Sequence, residues 1–207
     1  MNNYFIILAS GSGKRFDLNK PKQYFLYKNK ELYEHSIIKA VKSKLFKRVV
    51  LVVDNPKKIK KEYTKNILVI KGGKERSESS LLALKKIKKF KPNNVLIHDA
   101  ARPNFSISLL KRLIFELKKN NAVIPFVQPV DSLKYKIKNQ MYNLERNNSI
   151  LTQTPQGFKF KKILYLANNE KNQIKDEASI FINKGKKIKL IKGENRNIKI
   201  TFKDDLN

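Results

Sequence analysis

The chain has 207 residues and no cysteine, and its 46 basic residues against 17 acidic ones give a formal net charge of +29. A chain of this length can bury its own apolar core, and the lack of cysteine excludes disulfides and thiolate metal sites. The first apolar stretch, Tyr4–Ala9, is short and has no basic segment before it. We therefore expect neither a secretion signal nor a membrane span, and we predict a cytoplasmic protein.

The high positive charge has two interpretations. Dense basic residues are typical of proteins that bind nucleic acid or anionic surfaces. However, 39 of the 46 basic residues are lysines spread over nearly every segment, and Asn and Ile are also abundant, which indicates AT-rich coding. The chain contains no zinc-finger spacing, no aromatic ribonucleoprotein motif and no basic zipper. We interpret the charge mainly as the composition of solvated faces, and a basic nucleic-acid-binding domain remains the alternative from another class.

Short runs rich in Val, Ile and Leu predict strands that are buried on both faces of a parallel sheet. In chain order they are Tyr4–Ala9, Arg48–Val53, Ile67–Lys71, Asn94–His98 and Ala122–Phe126. Helical patterns lie between them at Leu32–Val41, Ser77–Phe90 (with an apolar stripe of Leu81, Leu82, Leu84 and Ile87) and Ile107–Leu117, the last with Ser106 as its N-cap. The alternation predicts an α/β fold with a Rossmann-like, doubly wound, mostly parallel twisted sheet.

The alternation stops after Pro129. Residues 132–148 are polar with alternating apolar positions, which predicts a β-hairpin arm projecting from the sheet; the alternative is a disordered insertion. Helices are then predicted at Phe158–Ala167 and Asp176–Asn183, and strands at Lys187–Lys192 and Asn197–Phe202. No repeat or low-complexity linker divides the chain, so we expect a single domain over residues 1–207 with the arm inside it.

The loop after the first strand carries the strongest local signal. In doubly wound sheets ligands bind outside the carboxyl ends of the strands, and this loop reads Ala9-Ser-Gly-Ser-Gly-Lys-Arg, followed by Pro21-Lys22. Small residues let backbone N–H groups approach phosphate oxygens, and the basic side chains add charge there. A Walker A loop would need glycine at Leu8 and a dinucleotide fingerprint would need glycine at Phe16. The loop therefore predicts a site for the phosphates of a nucleoside triphosphate.

Two later loops supply further candidates. Gly72–Ser79 joins a strand to a helix, so it is either a second anion-binding turn or an ordinary turn with a serine cap. His98-Asp-Ala-Ala-Arg-Pro103 ends a buried strand, and an aspartate there can bind a metal or sugar hydroxyls. Asp99 is the preferred candidate, because a lone histidine such as His98 is more often structural.

Eight motifs in order resemble one enzyme family over almost the whole chain. They are Ala9-Ser-Gly-Ser-Gly-Lys-Arg, Pro21-Lys22-Gln23-Tyr24, Glu34-His35-Ser36, Gly72-Gly73-x-x-Arg76-x-x-Ser79, His98-Asp-Ala-Ala-Arg-Pro103, Thr154-Pro-Gln156, Asp176-Glu-Ala-Ser179 and Asn197-Ile-Lys-Ile-Thr201. Together they resemble the 2-C-methyl-D-erythritol 4-phosphate cytidylyltransferases of the non-mevalonate isoprenoid pathway. The resemblance implies a nucleotidyltransferase fold, similar to that of the A-type glycosyltransferases, and a transferase that joins CTP to methylerythritol phosphate and releases pyrophosphate.

The resemblance also assigns residues. It implies transition-state stabilisation by two catalytic residues, Arg15 and Lys22. The substrate-positioning residues it implies are Arg146, Lys199, Asp99, Arg102 and Ser132. The nucleotide contacts it implies are Ala9, Ser10, Gly11, Gly13, Gly73 and Ser79. Mg²⁺ is expected mainly on the triphosphate oxygens, with Asp99 as the candidate protein ligand. In the family the arm reaches a second subunit, so the resemblance implies a homodimer in which Arg146 serves the neighbouring site, with neither nucleic acid nor membrane as a partner.

Some positions depart from the family pattern. Lys74 stands where an acidic residue is usual, so base recognition there would rest on backbone groups, and Ser132 replaces the usual threonine. The family usually continues into a last helix beyond Asn207. A pentitol-phosphate cytidylyltransferase, such as a ribitol 5-phosphate enzyme, shares the first loop and is the closest alternative, but Ala101 and Asp176–Ser179 favour methylerythritol phosphate. A non-catalytic paralogue is disfavoured because the four implied cationic site residues are intact.

Overall fold

The computed structural model describes residues 2–13, 16–170 and 175–206. The strands in these ranges are β1 (Asn3–Ala9), β2 (Leu26–Tyr27), β3 (Lys30–Glu31), β4 (Arg48–Val53), β5 (Leu68–Lys71), β6 (Asn94–Asp99), β7 (Ala122–Val127), β8 (Leu133–Ile137), β9 (Gln140–Leu144), β10 (Leu151–Thr152), β11 (Gln156–Lys159) and β12 (Lys189–Lys192). The α-helices are α1 (Leu32–Ser43), α2 (Lys61–Thr64), α3 (Arg76–Ile87), α4 (Ile107–Glu116), α5 (Phe160–Asn168) and α6 (Glu177–Asn183). No helix in the described ranges is long and apolar enough to cross a membrane.

An eight-stranded sheet organises the molecule. Seven of its strands follow the order β10-β7-β11-β6-β1-β4-β5, and the eighth, β12, also pairs with β7. The central strand β1 is parallel to both of its neighbours, β4 and β6, and β4 is parallel to β5. Strand β11 runs antiparallel between β6 and β7. The predicted α/β class and mostly parallel sheet are therefore confirmed.

The residues of β1 explain why helices cover both faces. Every residue of β1 is buried, and successive side chains of a strand point to opposite faces. Tyr4, Ile6 and Leu8 join the apolar cluster that contains α3, α5 and α6 residues. Phe5 and Ile7 join the cluster formed with α1 and α4. A strand that is buried at every position thus requires a cover on each side, which is the doubly wound arrangement.

Five predicted strands match β1, β4, β5, β6 and β7 closely. The predicted N-cap of α4 is also present, because Ser106 Oγ accepts a hydrogen bond from the Leu109 amide at 3.0 Å. Three predictions are wrong in detail. The helix predicted at Phe158–Ala167 begins only at Phe160, because Phe158 and Lys159 belong to β11. Residues 197–202 form no strand; Ile200 is held instead by its amide, which donates to the Ala101 carbonyl at 2.8 Å. In α3 the predicted stripe included Leu82, which is 40% exposed, because the helix buries Ala83 and Leu84.

The predicted arm is a β-hairpin. Strands β8 and β9 pair antiparallel, apart from the main sheet, with Leu133 opposite Leu144 and Tyr135 opposite Tyr142. Because directly opposed residues point to one side, these four side chains share one face of the hairpin. The two tyrosine rings stack with their centroids 5.0 Å apart. The hairpin therefore carries an apolar face whose side chains are largely exposed to solvent.

Candidate active site

A cleft of about 430 Å³ opens at the carboxyl ends of β1 and β6. Three separate loops and the segment after residue 196 form its walls. Its lining residues are Leu8, Ala9, Ser10, Gly11, Ser12, Gly13, Lys22, Gln23, Lys74, Glu75, Arg76, Asp99, Ala100, Ala101, Lys199 and Thr201. This is the edge of a doubly wound sheet where ligands bind, and the sequence predicts the binding site in the loops at this edge.

The glycine-rich loop turns sharply at Gly13. This residue has a φ of +66°, a left-handed conformation that glycine adopts without strain. A side chain at Gly13 would also place its Cβ 3.1 Å from the backbone nitrogen of Lys22. The loop can therefore pack directly against Lys22. The predicted catalytic residue Arg15, with its neighbour Lys14, lies outside the described residues, so its role stays a prediction.

Lys22 is positioned by its two following residues. Lys22, Gln23 and Tyr24 form a short 3₁₀ helix after Pro21. Both Gln23 Nε2 (3.1 Å) and Tyr24 Oη (2.6 Å) donate to Asp54 Oδ1, just beyond the carboxyl end of β4. The Lys22 ammonium itself donates to the Ile200 carbonyl at 3.0 Å. The sheet and the 197–201 segment thus hold this cation at the wall of the cleft.

The first and second loops meet through two serines. The Ser10 and Ser79 hydroxyl oxygens lie 2.8 Å apart, and the Gly73 amide donates to Ser79 Oγ at 3.0 Å. A Cβ on Gly72 would lie only 2.5 Å from Ser10 Cβ, so this close approach requires glycine. Three of the predicted nucleotide contacts are therefore joined in one hydrogen-bonded unit.

The side chain of Glu78 packs against Gly73. Its Oε2 accepts a hydrogen bond from the Lys74 amide at 2.7 Å, and its side chain fills the space that a Cβ on Gly73 would need. The sequence places lysine at position 74, where the family pattern has an acid. The structure brings a carboxylate to the same turn from the first turn of α3.

An ion-pair chain crosses the floor of the cleft. Arg76 donates from Nη1 and Nη2 to the two oxygens of Glu177, at 3.0 Å each, and from Nε to Asp99 Oδ1 at 2.9 Å. Lys199 Nζ donates to Asp99 Oδ2 at 2.8 Å. Burial opposes ionisation of Asp99, but Arg76 and Lys199 outweigh it and hold the pKa of the carboxyl well below its usual range. Asp99 is therefore a carboxylate at neutral pH.

Arg76 and Glu177 are the functional residues that sequence reasoning did not assign. Both stand in quoted motifs, Arg76 after the double glycine and Glu177 after Asp176. They pair across a separation of 101 residues, which no local pattern reveals. The signal that could have identified them was the presence of one basic and one acidic residue in two of the motifs that carry the resemblance.

His98 is a structural residue within this site. It is fully buried, its Nε2 lies 3.1 Å from the Arg102 carbonyl and its Nδ1 lies 3.0 Å from Thr154 Oγ1. The Asp99 amide donates to the same Thr154 oxygen at 3.1 Å. A carbonyl can only accept, so the ring is assigned as the Nε2–H tautomer, with Nδ1 accepting from Thr154. Burial lowers the pKa of His98 to about 3, which keeps the ring neutral.

We expect His98 to make stability depend on pH. In the unfolded chain a histidine takes up a proton near pH 6.5, whereas in the folded protein His98 stays neutral down to about pH 3. Stability is therefore fully present above pH 6.5 and is lost as the pH falls, by about 2 kcal/mol between pH 7 and pH 5 from this residue. Urea unfolding at pH 7, 6 and 5 would measure it. His98→Gln, which does not titrate, should have a shallower slope, and an unchanged slope would contradict the assignment.

Three predicted substrate-positioning residues do not line the cleft of their own chain. Arg102 donates to the carbonyls of Asn197 (2.8 Å) and Thr152 (3.4 Å), so in this structure it ties the 197–201 segment to β10. Ser132 and Arg146 lie on the arm and are exposed; Arg146 Nη1 donates to the Val130 carbonyl at 3.2 Å. Substrate contact by these residues stays a prediction, which for the two arm residues depends on the second subunit that the resemblance implies.

The carboxylates of the cleft are few. Within the described part of the chain, no group of three or more His, Asp or Glu side chains could hold a metal ion. Glu75 and Asp99 are the acidic residues that line the cleft there, and Asp99 already binds two cationic side chains. This donor set fits a cation carried on the oxygens of a bound triphosphate rather than one held by a cage of protein ligands.

Comparison with known proteins gives one consistent family. The family model described as IspD, 2-C-methyl-D-erythritol 4-phosphate cytidylyltransferase, matches residues 4–207. A bifunctional IspD/IspF enzyme of Pelagibacter ubique is 52% identical over 208 residues, which cover 100% of this chain and 56% of that protein. The chain thus spans little more than half the length of that relative. A 2-C-methyl-D-erythritol 4-phosphate cytidylyltransferase of Caldicellulosiruptor bescii is 35% identical, over 100% of this chain and 95% of that protein.

Solved structures agree with the sequence comparison. The bifunctional IspDF of Campylobacter jejuni superposes with a TM-score of 0.87 at 30% identity, covering 100% of this chain and 53% of that one. The Francisella tularensis 2-C-methyl-D-erythritol 4-phosphate cytidylyltransferase gives a TM-score of 0.85 at 31% identity, over 100% of this chain and 97% of that one.

Proposed function

The chain belongs to the 2-C-methyl-D-erythritol 4-phosphate cytidylyltransferase family, and on that premise we propose that it transfers the cytidylyl group of CTP to 2-C-methyl-D-erythritol 4-phosphate. The products are 4-diphosphocytidyl-2-C-methyl-D-erythritol and pyrophosphate, a step in the synthesis of isoprenoid precursors. The observation that carries the proposal is the cleft in which the glycine-rich loop, Lys22 and the Asp99–Lys199 pair meet. Residues 1–207 would form one cytidylyltransferase domain, and we place it in the cytoplasm.

The reaction asks the protein for position and charge rather than for covalent chemistry. An oxygen of the acceptor phosphate attacks the α-phosphorus of CTP and forms the new P–O bond. The bond from the α-phosphorus to the oxygen bridging to the β-phosphorus breaks, and pyrophosphate leaves with that electron pair. Negative charge therefore grows on the α-phosphate and on the leaving group, and fixed cations there lower the barrier.

The position of Lys22 supports this role. Its 3₁₀ helix is anchored on Asp54, and Lys22 lines the cleft together with the glycine-rich loop. A lysine held before the reaction needs little reorganisation when charge develops beside it. We assign Arg15 the companion role, since a guanidinium can bind two phosphate oxygens at once.

The nucleotide would lie along the first two loops. The backbone of Ala9, Ser10 and the glycines Gly11 and Gly13 would face the triphosphate, because small residues leave their N–H groups accessible. Gly73 and Ser79 would contact the base, with backbone groups supplying much of the recognition. When bound, Mg²⁺ would neutralise charge on the triphosphate.

The acceptor would occupy the other end of the cleft. Lys199 projects there with Asp99, offering an ammonium to the acceptor phosphate and a carboxylate to a hydroxyl group. Arg102 would act by fixing the loop that carries Asp99 in addition to any contact of its own. Arg146 and Ser132 would reach the acceptor from a second copy of the chain.

A homodimer formed through the arm would explain the exposed apolar face of β8 and β9. On this face, Tyr135, Ile137 and Leu144 are each more than 40% exposed. Residues of this kind on a projecting two-stranded ribbon are typical of a surface that another subunit covers. An isologous contact would place each arm over the neighbouring subunit.

Pyrophosphate release with CTP and the acceptor tests the proposal directly. The chain should release pyrophosphate with CTP and methylerythritol phosphate, and much less with ATP, GTP or UTP. Ribitol 5-phosphate is the critical control, because faster turnover of that substrate would assign the chain to the pentitol-phosphate enzymes. Absence of CTP-dependent release, together with tight and salt-sensitive binding of nucleic acid, would favour the alternative from another class.

A further inference from the structure

The ion-pair chain beneath the cleft runs from the core to the substrate side. The exposed fraction of each side chain is 1% for Glu177, 24% for Arg76, 13% for Asp99 and 39% for Lys199. Arg76, Asp99 and Lys199 line the cleft, whereas Glu177 lies behind them. Glu177 is therefore linked to the cleft through its partner Arg76.

The carboxylate of Glu177 is held by a rigid support. Asp176 caps α6 by accepting from the Ser179 amide at 3.0 Å. Gln156 on β11 donates to Asp176 at 2.8 Å and accepts from the Ala178 amide at 3.1 Å. Because β11 pairs with β6, which ends at Asp99, the two carboxylates that Arg76 binds are fixed relative to the same part of the sheet.

The geometry of the Arg76 guanidinium determines which donor each oxygen of Asp99 binds. Arg76 can present its two Nη groups to one carboxylate in a bidentate pair. Glu177 accepts one N–H from each Nη and so fixes the orientation of the guanidinium, in which Nε is the group that binds Asp99 Oδ1. The second oxygen of Asp99 is then directed to Lys199.

We propose that Glu177 is a positioning residue for the acceptor half of the site, an inference that rests on the function proposed above. By fixing the orientation of the Arg76 guanidinium, Glu177 leaves Asp99 Oδ2 for Lys199 and so holds the Lys199 ammonium where the acceptor phosphate binds. Without the Glu177 carboxylate, the guanidinium turns and binds both oxygens of Asp99 through its Nη groups. Lys199 then loses its anchor and acceptor binding weakens, while the CTP half of the site keeps its contacts.

The test compares the two substrates of Glu177→Gln with those of the wild-type enzyme. We expect KM for the acceptor to rise about tenfold and KM for CTP to change by less than about twofold. Glu116→Gln, at a partly exposed position of α4 that does not line the cleft, is the matched control and should change neither constant. An equal rise in both KM values, or no change in either, would overturn the proposal.

A double-mutant cycle tests whether Glu177 acts through Lys199. In a Lys199→Met background, Glu177→Gln should change KM for the acceptor by less than about twofold, because the group it positions is already absent. A full, multiplicative effect on top of Lys199→Met would contradict the proposed route. Thermal unfolding establishes that each variant folds, and Glu177→Asp, which keeps the charge but withdraws it by one methylene, replaces Glu177→Gln if the latter does not fold.

A crystal structure of the variant separates this inference from the proposed function. In Glu177→Gln we expect the Arg76 Nη groups on Asp99 and the Lys199 ammonium more than about 4 Å from Asp99, beyond ion-pair distance. An unchanged Lys199–Asp99 pair would overturn the inference even in a fully active enzyme. If the wild-type protein released no pyrophosphate, the proposed function would fail, while the rearrangement would still be decided by the structure.

Discussion

Replacing Lys22 by alanine should lower kcat by about 10²–10³-fold, since loss of one preorganised charge donor typically costs about 2.7–4 kcal/mol of barrier. The affinity for CTP should change little, by less than about threefold, because the backbone of the glycine-rich loop and the base contacts remain. The measurements are pyrophosphate release at saturating substrates and calorimetric titration with CTP.

Lys20→Ala is the matched control for this prediction. Lys20 is exposed, precedes the same 3₁₀ helix and does not line the cleft, so its loss should leave kcat within about twofold of the wild-type value. Lys22 also binds the Ile200 carbonyl, so thermal unfolding must show that Lys22→Ala remains folded. Equal losses in kcat and in CTP affinity would show that Lys22 serves ground-state binding and not the transition state.

Mixing two inactive variants should restore activity if Arg146 serves the neighbouring subunit. Lys22→Ala and Arg146→Ala, each nearly inactive alone at low acceptor concentration, would form mixed dimers after subunit exchange. In such a dimer one site lacks both residues, whereas the other has an intact Lys22 and receives an intact Arg146 from its partner. Random pairing makes half of the dimers mixed, so the mixture should recover about a quarter of wild-type activity.

One outcome of the same experiment would contradict the prediction. If Arg146 acted within its own chain, every site of a mixed dimer would lack one of the two residues and no activity would return. Mixing Lys22→Ala with itself under the same exchange conditions gives the background rate. Sedimentation at the assay concentration would measure the dimer, and substituting Tyr135 and Leu144 with serine should weaken it, because these side chains form the exposed apolar face of the arm.

The fold could be predicted where local pattern and tertiary environment agree. Strands β1, β4 and β6 are continuous apolar runs, and buried parallel strands require such runs. Strand β11 escaped prediction because Gln156–Lys159 contains one large apolar residue and leads straight into a helical stripe. Its strand conformation comes from pairing with β6 and β7 on its two sides, which is information that the segment itself does not contain.

The opposite error occurred at residues 197–202. Ile198, Ile200 and Phe202 alternate as in a half-buried strand, but Ile198 is 48% and Phe202 55% exposed while Ile200 is fully buried. The segment is fixed by side chains instead, since buried Asn197 donates to the Thr154 carbonyl at 2.9 Å. The alternation of apolar residues in this segment therefore reflects the burial of Ile200 and not a strand conformation.

Within the site, sequence reasoning identified the loops but not the pairing between them. The loops are predicted because they follow strands, and the resemblance implies the individual residues Ser10 and Ser79. The structure brings both serines and Asp99 to one edge of the sheet. The Arg76–Glu177 pair joins residues 101 positions apart. Such a pair depends on how α3 and α6 pack, so it is fixed only once the whole fold is known.

The hydrogen bond between Lys22 and the Ile200 carbonyl joins positions 178 residues apart in the chain. During synthesis the amino-terminal part of a chain emerges first, so the glycine-rich loop leaves the ribosome long before the segment that holds its lysine. The nascent chain therefore cannot complete the proposed active site until residues 197–201 have emerged. An incomplete translation product that ends before residue 197 should consequently be inactive, even though it contains most of the sheet.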